Sequence, residues 1–135
     1  PRNYKYFVCD EVGQLCGVMN PSEIVRGSFQ RAYLGYYALA PHAGKGFMSA
    51  GLSLVLERAF GELGLHCVEA NIQPKNLRSI ELVKRAGFRC EGMSPRYLKI
   101  AGRWRDHERW AITTEDRPKP RAVASKAPKR QIAAR

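Results

Sequence analysis

The stretch His42-Ala43-Gly44-Lys45-Gly46-Phe47-Met48 decides how this chain is read. Two glycines one residue apart lie between a strand-like run, Ala32 to Leu39, and a helical pattern that begins near Met48. Glycine at such a turn lets the backbone approach a ligand closely. The first N–H groups of a helix have no partner within it, and with the helix dipole they favour a pyrophosphate. Lys45 adds a positive charge beside them. A strand-to-helix turn also takes glycine for steric reasons alone, so the loop by itself leaves both readings open. Two other phosphate loops are excluded. A P-loop needs Gly-x-x-x-x-Gly-Lys-Ser/Thr, but Leu39 holds the first glycine position and Gly46 follows Lys45. A dinucleotide fingerprint needs a third glycine where Ser49 stands.

Downstream of the loop, Met48, Leu52, Val55, Leu56, Ala59 and Leu63 recur at steps of three and four, which predicts an amphipathic helix closed by Gly61 and Gly64. Cys67 to Ile72 reads as a short buried strand, and Gln73-Pro74-Lys75 as a turn. Asn76 is placed to cap a second helix running to about Arg85, with Gly87 at its C-terminal cap. Phe88 to Gly92 starts another strand, and Tyr97 to Ile100 with Trp104 to Ile112 predict a hairpin across Ala101-Gly102-Arg103. Upstream, Tyr4 to Cys9 and Leu15 to Met19 form a predicted hairpin about Gly13-Gln14. Asn20-Pro21-Ser22 is expected to break the pattern, leaving Ile24 to Ser28 irregular. The order of strands and helices predicts a mixed α/β or α+β domain around a central sheet.

A chain of 135 residues fits one domain, and 44% hydrophobic content is enough to bury a core without staples. The predicted division is a folded domain over 1–116 and a basic tail over 117–135. That tail carries Arg117, Lys119, Arg121, Lys126, Lys129, Arg130 and Arg135 among prolines and alanines, and holds no acid. Its composition predicts disorder, and its charge suits a weak contact with RNA or another polyanion as well as it suits plain solvation. No apolar run of 18 residues is present, so no membrane span is expected. The N-terminus shows neither a signal segment nor an initiator Met, which suggests processing or truncation. Cys9, Cys16, Cys67 and Cys90 form no Cys-x-x-Cys pair; buried free thiols and a reducing cytoplasmic setting are the expectation. His42, His66 and His107 lack ligand spacing, so no metal is expected. Trp104, Trp110 and the tyrosines are assigned to core and sheet packing.

The loop resembles motif A of the GNAT acetyltransferases, Arg/Gln-x-x-Gly-x-Gly/Ala: Gly44 and Gly46 match, and Pro41 stands where Arg or Gln is usual. Val25-Arg26-Gly27-Ser28-Phe29, Tyr33-Leu34-Gly35-Tyr36, Ala70-Asn71 and Pro74-x-Asn76-x-x-Ser79 look like the ribosomal-protein-alanine N-acetyltransferase subgroup. So do Gly87-Phe88-x-x-Glu91-Gly92 and Tyr97-Leu98-x-Ile100-x-Gly102-x-Trp104-Arg105-Asp106-His107. The resemblance spans roughly residues 4 to 116. It implies a GNAT fold, a central mixed and mostly antiparallel sheet with flanking helices, here without the strand and two helices that usually precede Tyr4 and wall the acceptor site.

The resemblance also implies acetyl-CoA as acyl donor, with a primary amine attacking its thioester. By that analogy the strand before the loop splays from the strand after the first helix, and pantetheine lies in the gap. The Leu39–Ala40 backbone would then contact pantetheine and offer an oxyanion donor. The amides of His42, Ala43, Gly44, Lys45, Gly46, Phe47 and Met48 would hold the pyrophosphate. Lys45, Lys84 or Arg85 would meet the 3′-phosphate, and Asn71 and Asn76 the cofactor arm. Val83 stands where many relatives place a tyrosine acid, so the subgroup pattern points to Ser79 as the hydrogen-bond donor to the leaving sulfur. Arg96 replaces a carboxylate found in some members. Glu69 is the first candidate for general base, with Asp106, His107 or water behind it. The expected acceptor is the N-terminal residue of a ribosomal or other protein. The alternatives are a non-catalytic CoA-binding or ribosome-associated module, or an acetyltransferase for a polyamine or antibiotic amine.

Overall fold

The computed structural model describes residues 2–39, 46–117 and 131–134, the last four by their backbone. Among these residues lie β1 (Tyr6–Cys9), β2 (Leu15–Val25), β3 (Arg31–Ala38), α1 (Phe47–Phe60), β4 (Cys67–Ile72), α2 (Leu77–Ala86), β5 (Arg89–Ile100), β6 (Arg103–Thr113) and β7 (Gln131–Ala134). The strands form one sheet in the order β5-β6-β4-β3-β2-β1-β7. Every pairing is antiparallel except β3 with β4, which the α1 crossover makes parallel. The expected mixed, mostly antiparallel sheet with flanking helices is therefore present.

The core lies between one face of the sheet and the two helices. Leu52, Val55, Leu56 and Ala59 of α1 are buried at the predicted spacing, against Ala32 and Leu34 of β3 and Val68, Ala70 and Ile72 of β4. Leu52 and Leu56 are wholly buried, and each contributes about 2 kcal/mol by removing apolar area from water. α2 adds the fully buried Val83, with Ile80, Leu82 and Ala86 packed beside it. Asn76 caps that helix as expected: its Oδ1 accepts the Ser79 N–H at 3.2 Å. Gly87 closes it, donating its N–H to Lys84 and Val83 carbonyls.

Four expectations change. β2 runs through Asn20-Pro21-Ser22 to Val25, so the triplet does not end the strand; the irregularity is a register shift between Ser22 and Val25, where Glu23 has φ 51°, and of Ile24 to Ser28 only residues 26–28 leave the strand. Pro21 sits opposite Leu34, and its carbonyl accepts the Tyr4 N–H at 2.8 Å on the far side of the strand. Its missing N–H therefore costs no bond to β3. In the tail, Gln131–Ala134 pairs with the outer edge of β1, from Cys9 back to Tyr6. This piece of the tail carries neither proline nor charge, and it meets an edge whose other side β2 already occupies. Residues 118–130, with most of the tail's cations, lie outside the described residues. Cys90 is exposed, because β5 is the other edge strand; Cys16 is buried and Cys9 and Cys67 are half-buried, and none of the four is in a disulfide among the described residues. Trp110 is a core residue, whereas Trp104 is 61% exposed near the tip of the β5–β6 hairpin. Among the described residues no helix is long and apolar enough to cross a membrane.

A 3₁₀ turn at Thr114–Asp116 ends β6 and carries two depressed carboxyls. Glu115 is lowered to about 2 by its own backbone N–H and then by the His66 imidazole. Asp116 is held below the usual carboxylate range by the Thr113 N–H, by the Thr113 hydroxyl and by Arg89. Both pKa values are lower folded than unfolded, so their stabilisation is full above the unfolded value of roughly 4 and is lost as pH falls toward about 2. Thermal melts taken between neutral pH and pH ~2 should therefore fall with pH, and Glu115→Gln should flatten that decline. A variant that follows the parent's pH profile throughout would contradict this account.

Candidate functional site

β3 and β4 pair over only Arg31↔Cys67, Ala32↔Val68 and Tyr33↔Glu69. Beyond Tyr33 the two strands part, while β3 stays bonded to β2 as far as Ala38. The Leu39 N–H donates to the Cys16 carbonyl at 2.8 Å. Alternation along an antiparallel ladder then turns Gly35 and Tyr37 toward β2, and the N–H and C=O groups of Tyr36 and Ala38 toward the gap. Leu39 thus has no N–H to offer as an oxyanion donor; the free backbone donors on this edge are one residue away in register.

The gap is a cleft of about 230 Å³. Leu34, Gly35 and Tyr36 line it from β3, and Asn71, Ile72 and Gln73 from the end of β4. Asn76 and Ser79 enter from the start of α2, and Leu98, Ile100 and His107 from the β5–β6 hairpin. No atom lies within 4 Å of a Cβ built on Gly35, so the space above it is open.

Two polar arrangements face this space. On the helix side, Tyr36 Oη reaches the Ser79 carbonyl at 3.2 Å and shares a short hydrogen bond with Ser79 Oγ, in which either hydroxyl can donate. Burial pushes the Tyr36 pKa up and the Ser79 bond partly offsets this, so Tyr36 is a neutral donor at ordinary pH. When Tyr36 donates to Oγ, the Ser79 hydrogen is released toward the cleft. On the β4 side, Glu69 is fully buried and its Oε1 accepts from Arg31 Nη2 and, at 2.9 Å, from Arg109 Nη2. Glu69 holds the Arg109 guanidinium above its ordinary pKa. Asn71 Nδ2 approaches Glu69 Oε2 at 3.4 Å, and Asn71 Oδ1 is buried with no hydrogen-bond partner among the described residues. An orphaned carbonyl oxygen on the wall of a cleft fits an N–H donor from a ligand.

The other predicted site residues are distributed as follows. Ala40, His42, Ala43, Gly44 and Lys45 lie outside the described residues. Gly46 precedes α1 with φ 80°, a left-handed conformation that side chains resist, and no side chain among the described residues caps the helix. Phe47 and Met48 begin α1, with the Met48 thioether lying over Gly17 against the sheet and the residue half-buried. Lys84 and Arg85 lie in the last turn of α2, roughly 12 Å along the axis from Asn76; the structure does not bring them to the cleft. Val83 is in the core. Asp106 Oδ1 accepts the Arg96 N–H at 2.8 Å across the β5–β6 bulge, where Arg96 has φ 47°. Tyr36 and Gln73 are cleft residues with hydrogen-bonding side chains that the sequence reading left without a role in the site; Tyr36 is the one joined to Ser79. Its place in the strand alternation beside Ala32 and Leu34 was a visible signal, but its partner is 43 residues away. Among the described residues no group of three or more His, Cys, Asp or Glu side chains forms a metal-ligand cluster.

Comparison with known proteins follows from this geometry. The acetyltransferase (GNAT) domain family matches residues 1–89. The probable N-acetyltransferase YjcK of Bacillus subtilis (strain 168) is 41% identical over 103 residues, covering 76% of this chain and 57% of that protein. The [ribosomal protein uS5]-alanine N-acetyltransferase of Escherichia coli (strain K12) is 42% identical over 103 residues, covering 76% and 53%. The structure of Mycobacterium smegmatis RimJ in complex with CoA-disulfide superposes with a TM-score of 0.77 at 34% identity, over 80% of this chain and 52% of that one. The chain thus spans about half the length of the curated relatives it matches.

Proposed function

Because the chain belongs to the acetyltransferase (GNAT) domain family, we propose that it serves transfer of an acetyl group from acetyl-CoA to a primary amine, the N-terminal residue of a protein. The observation that carries this reading is the gap between β3 and β4 with its unsatisfied acceptor, Asn71 Oδ1. The acyl donor supplies an activated thioester and a stable thiolate leaving group. The remaining work falls to this chain.

In this reading the Tyr36 and Ala38 edge of β3 and Asn71 Oδ1 hold the amide-bearing arm, as an extra strand would be held. Asn76 spends its Oδ1 on the helix cap and has its amide nitrogen left for the same arm. The start of α1, with the Ala40, His42, Ala43, Gly44, Lys45 and Gly46 backbone before it, takes the pyrophosphate. Ser79 gives its hydroxyl hydrogen to the departing sulfur, with Tyr36 behind it as the second member of the relay; a lone serine is a weak acid, and a donor behind it strengthens the bond it makes. Glu69 is best read as a brace. It is spoken for by two guanidiniums and steadies Asn71, so it orients the site instead of taking a proton from the amine. The choice of a protein N-terminus over a small amine draws on the likeness to an enzyme whose name gives ribosomal protein uS5 as its substrate.

The test is calorimetric titration with acetyl-CoA, followed by transfer assays on alanine-starting peptides and on spermidine. Ser79→Ala should lower kcat about tenfold, a loss of ~1.4 kcal/mol of transition-state stabilisation, and leave KM for acetyl-CoA unchanged. Failure of the parent chain to bind acetyl-CoA would falsify the reading. Turnover of spermidine in preference to peptides would move the acceptor to small amines.

A further inference from the structure

We propose that His107 is the proton acceptor for the attacking amine, an assignment that rests on the acetyltransferase reading above. Glu69 and His107 are the two polar or charged side chains buried in the described residues. They differ in what they have left to offer. Glu69 is already bound by Arg31, Arg109 and Asn71. His107 is 3% exposed, lines the cleft, and has one ring nitrogen committed: Nδ1 lies 2.9 Å from the Arg105 carbonyl. A carbonyl oxygen only accepts, so Nδ1 carries the hydrogen. In the neutral ring Nε2 then holds a lone pair and no hydrogen, the form a general base requires. Among the described residues no side chain or backbone group is recorded as a hydrogen-bond partner of Nε2.

The surroundings keep the ring in place and leave few competitors. His107 pairs with Ser94 across the hairpin, and just beyond it the β5 bulge brings the Tyr97 ring to 6.4 Å from the imidazole, tilted by 57°. Across the cleft stand Asn71 of β4 and Gln73 just after it, Ser79 of α2 and Tyr36 of β3, none of them charged at neutral pH. The charged groups nearest along the chain are Arg105, Asp106, held by the Arg96 N–H, Glu108, which accepts the Trp110 Nε1–H at 3.2 Å, and Arg109, held by Glu69. His107 therefore faces Ser79 from the opposite wall of one cleft. One side takes a proton and the other gives a hydrogen bond, which is the arrangement amide formation from an amine and a thioester needs. The amine nitrogen bonds to the carbonyl carbon, and the carbon–sulfur bond breaks with its electron pair on sulfur. The surplus N–H proton passes to Nε2, and the sulfur is quenched through the Ser79 hydroxyl, which the Tyr36 hydroxyl resupplies from solvent.

His107→Gln keeps an amide hydrogen for the Arg105 carbonyl and removes the base. In the full chain it should lower kcat by roughly 10²–10³, keep KM for acetyl-CoA within about twofold of the parent, and leave the melting temperature close to the parent's. The acid limb of the parent's kcat/KM–pH profile should vanish in the variant. Added imidazole should restore part of the lost rate. Independently of turnover, nitrogen NMR of the parent at alkaline pH should find hydrogen on Nδ1 of His107 and none on Nε2. The opposite tautomer overturns the proposal, as does a variant with the parent's rate and pH profile. A parent chain that binds no acetyl-CoA removes the acetyltransferase reading and this assignment with it. Binding and turnover with an unaltered His107→Gln profile removes this assignment alone.

Discussion

Replacing Glu69 with alanine should destabilise the chain by about 3 kcal/mol, because it leaves two guanidiniums without their carboxylate. The carboxylate is fully buried between Arg31 and Arg109. Removing one member of a buried ion cluster typically costs about 3–5 kcal/mol. The lower end applies here, since the Arg109 side chain is 38% exposed and recovers part of its hydration. Glu69→Gln should cost less, as the amide oxygen still accepts a hydrogen bond. Urea denaturation of the three proteins measures the order. A Glu69→Ala variant within ~0.5 kcal/mol of the parent, the range of ordinary surface substitutions, would show that the cluster adds nothing. The same variant should also bind acetyl-CoA more weakly, because Asn71 loses the group that steadies its amide.

Gly35→Leu should do the reverse: fold normally and lose the ligand. The glycine has an ordinary extended backbone and lies within a strand, and a Cβ there meets no atom within 4 Å. A branched side chain at this point projects into the cleft lined by Tyr36, Asn71 and Ser79. Affinity for acetyl-CoA should drop roughly a hundredfold, ~2.7 kcal/mol, with the melting temperature held or raised. Calorimetry and a thermal melt on the same preparation settle it. Unchanged binding would mean that the arm of the donor runs elsewhere, and the β3–β4 gap would cease to be the site.

What the sequence disclosed about this molecule was what is local in it. The span of β4, the Asn76 cap and the Gly87 terminus of α2 were legible because a strand of six residues, a cap and its helix are each decided within a few positions. Pro21 was misread for the opposite reason. Whether a proline breaks a strand depends on which side of the ladder its missing N–H would face, and that is set by a partner strand. The tail strand is the same case, since Gln131–Ala134 is a strand by virtue of the β1 edge. For the site, motif resemblance marked Asn71, Asn76 and Ser79, and all three line one cleft. The Tyr36–Ser79 bond, 43 residues long in sequence, left no trace in spacing. Glu69 was picked out by its place in the strand after the first helix, where some family members keep a base, but its partners lie 38 and 40 residues away. Only the folded chain reveals that its lone pairs are already in use.

The short parallel pairing of β3 with β4 also has a mechanical side. The sheet is two leaves, β7-β1-β2-β3 and β4-β6-β5, joined by a seam three residue pairs long. Arg31 belongs to the first leaf, and Glu69 and Arg109 to the second, so the ion cluster is a rivet driven through the seam where it begins to open. Slack in that rivet would let the leaves hinge and widen the mouth between them. Three charged side chains thereby tie the two leaves together at the foot of the gap.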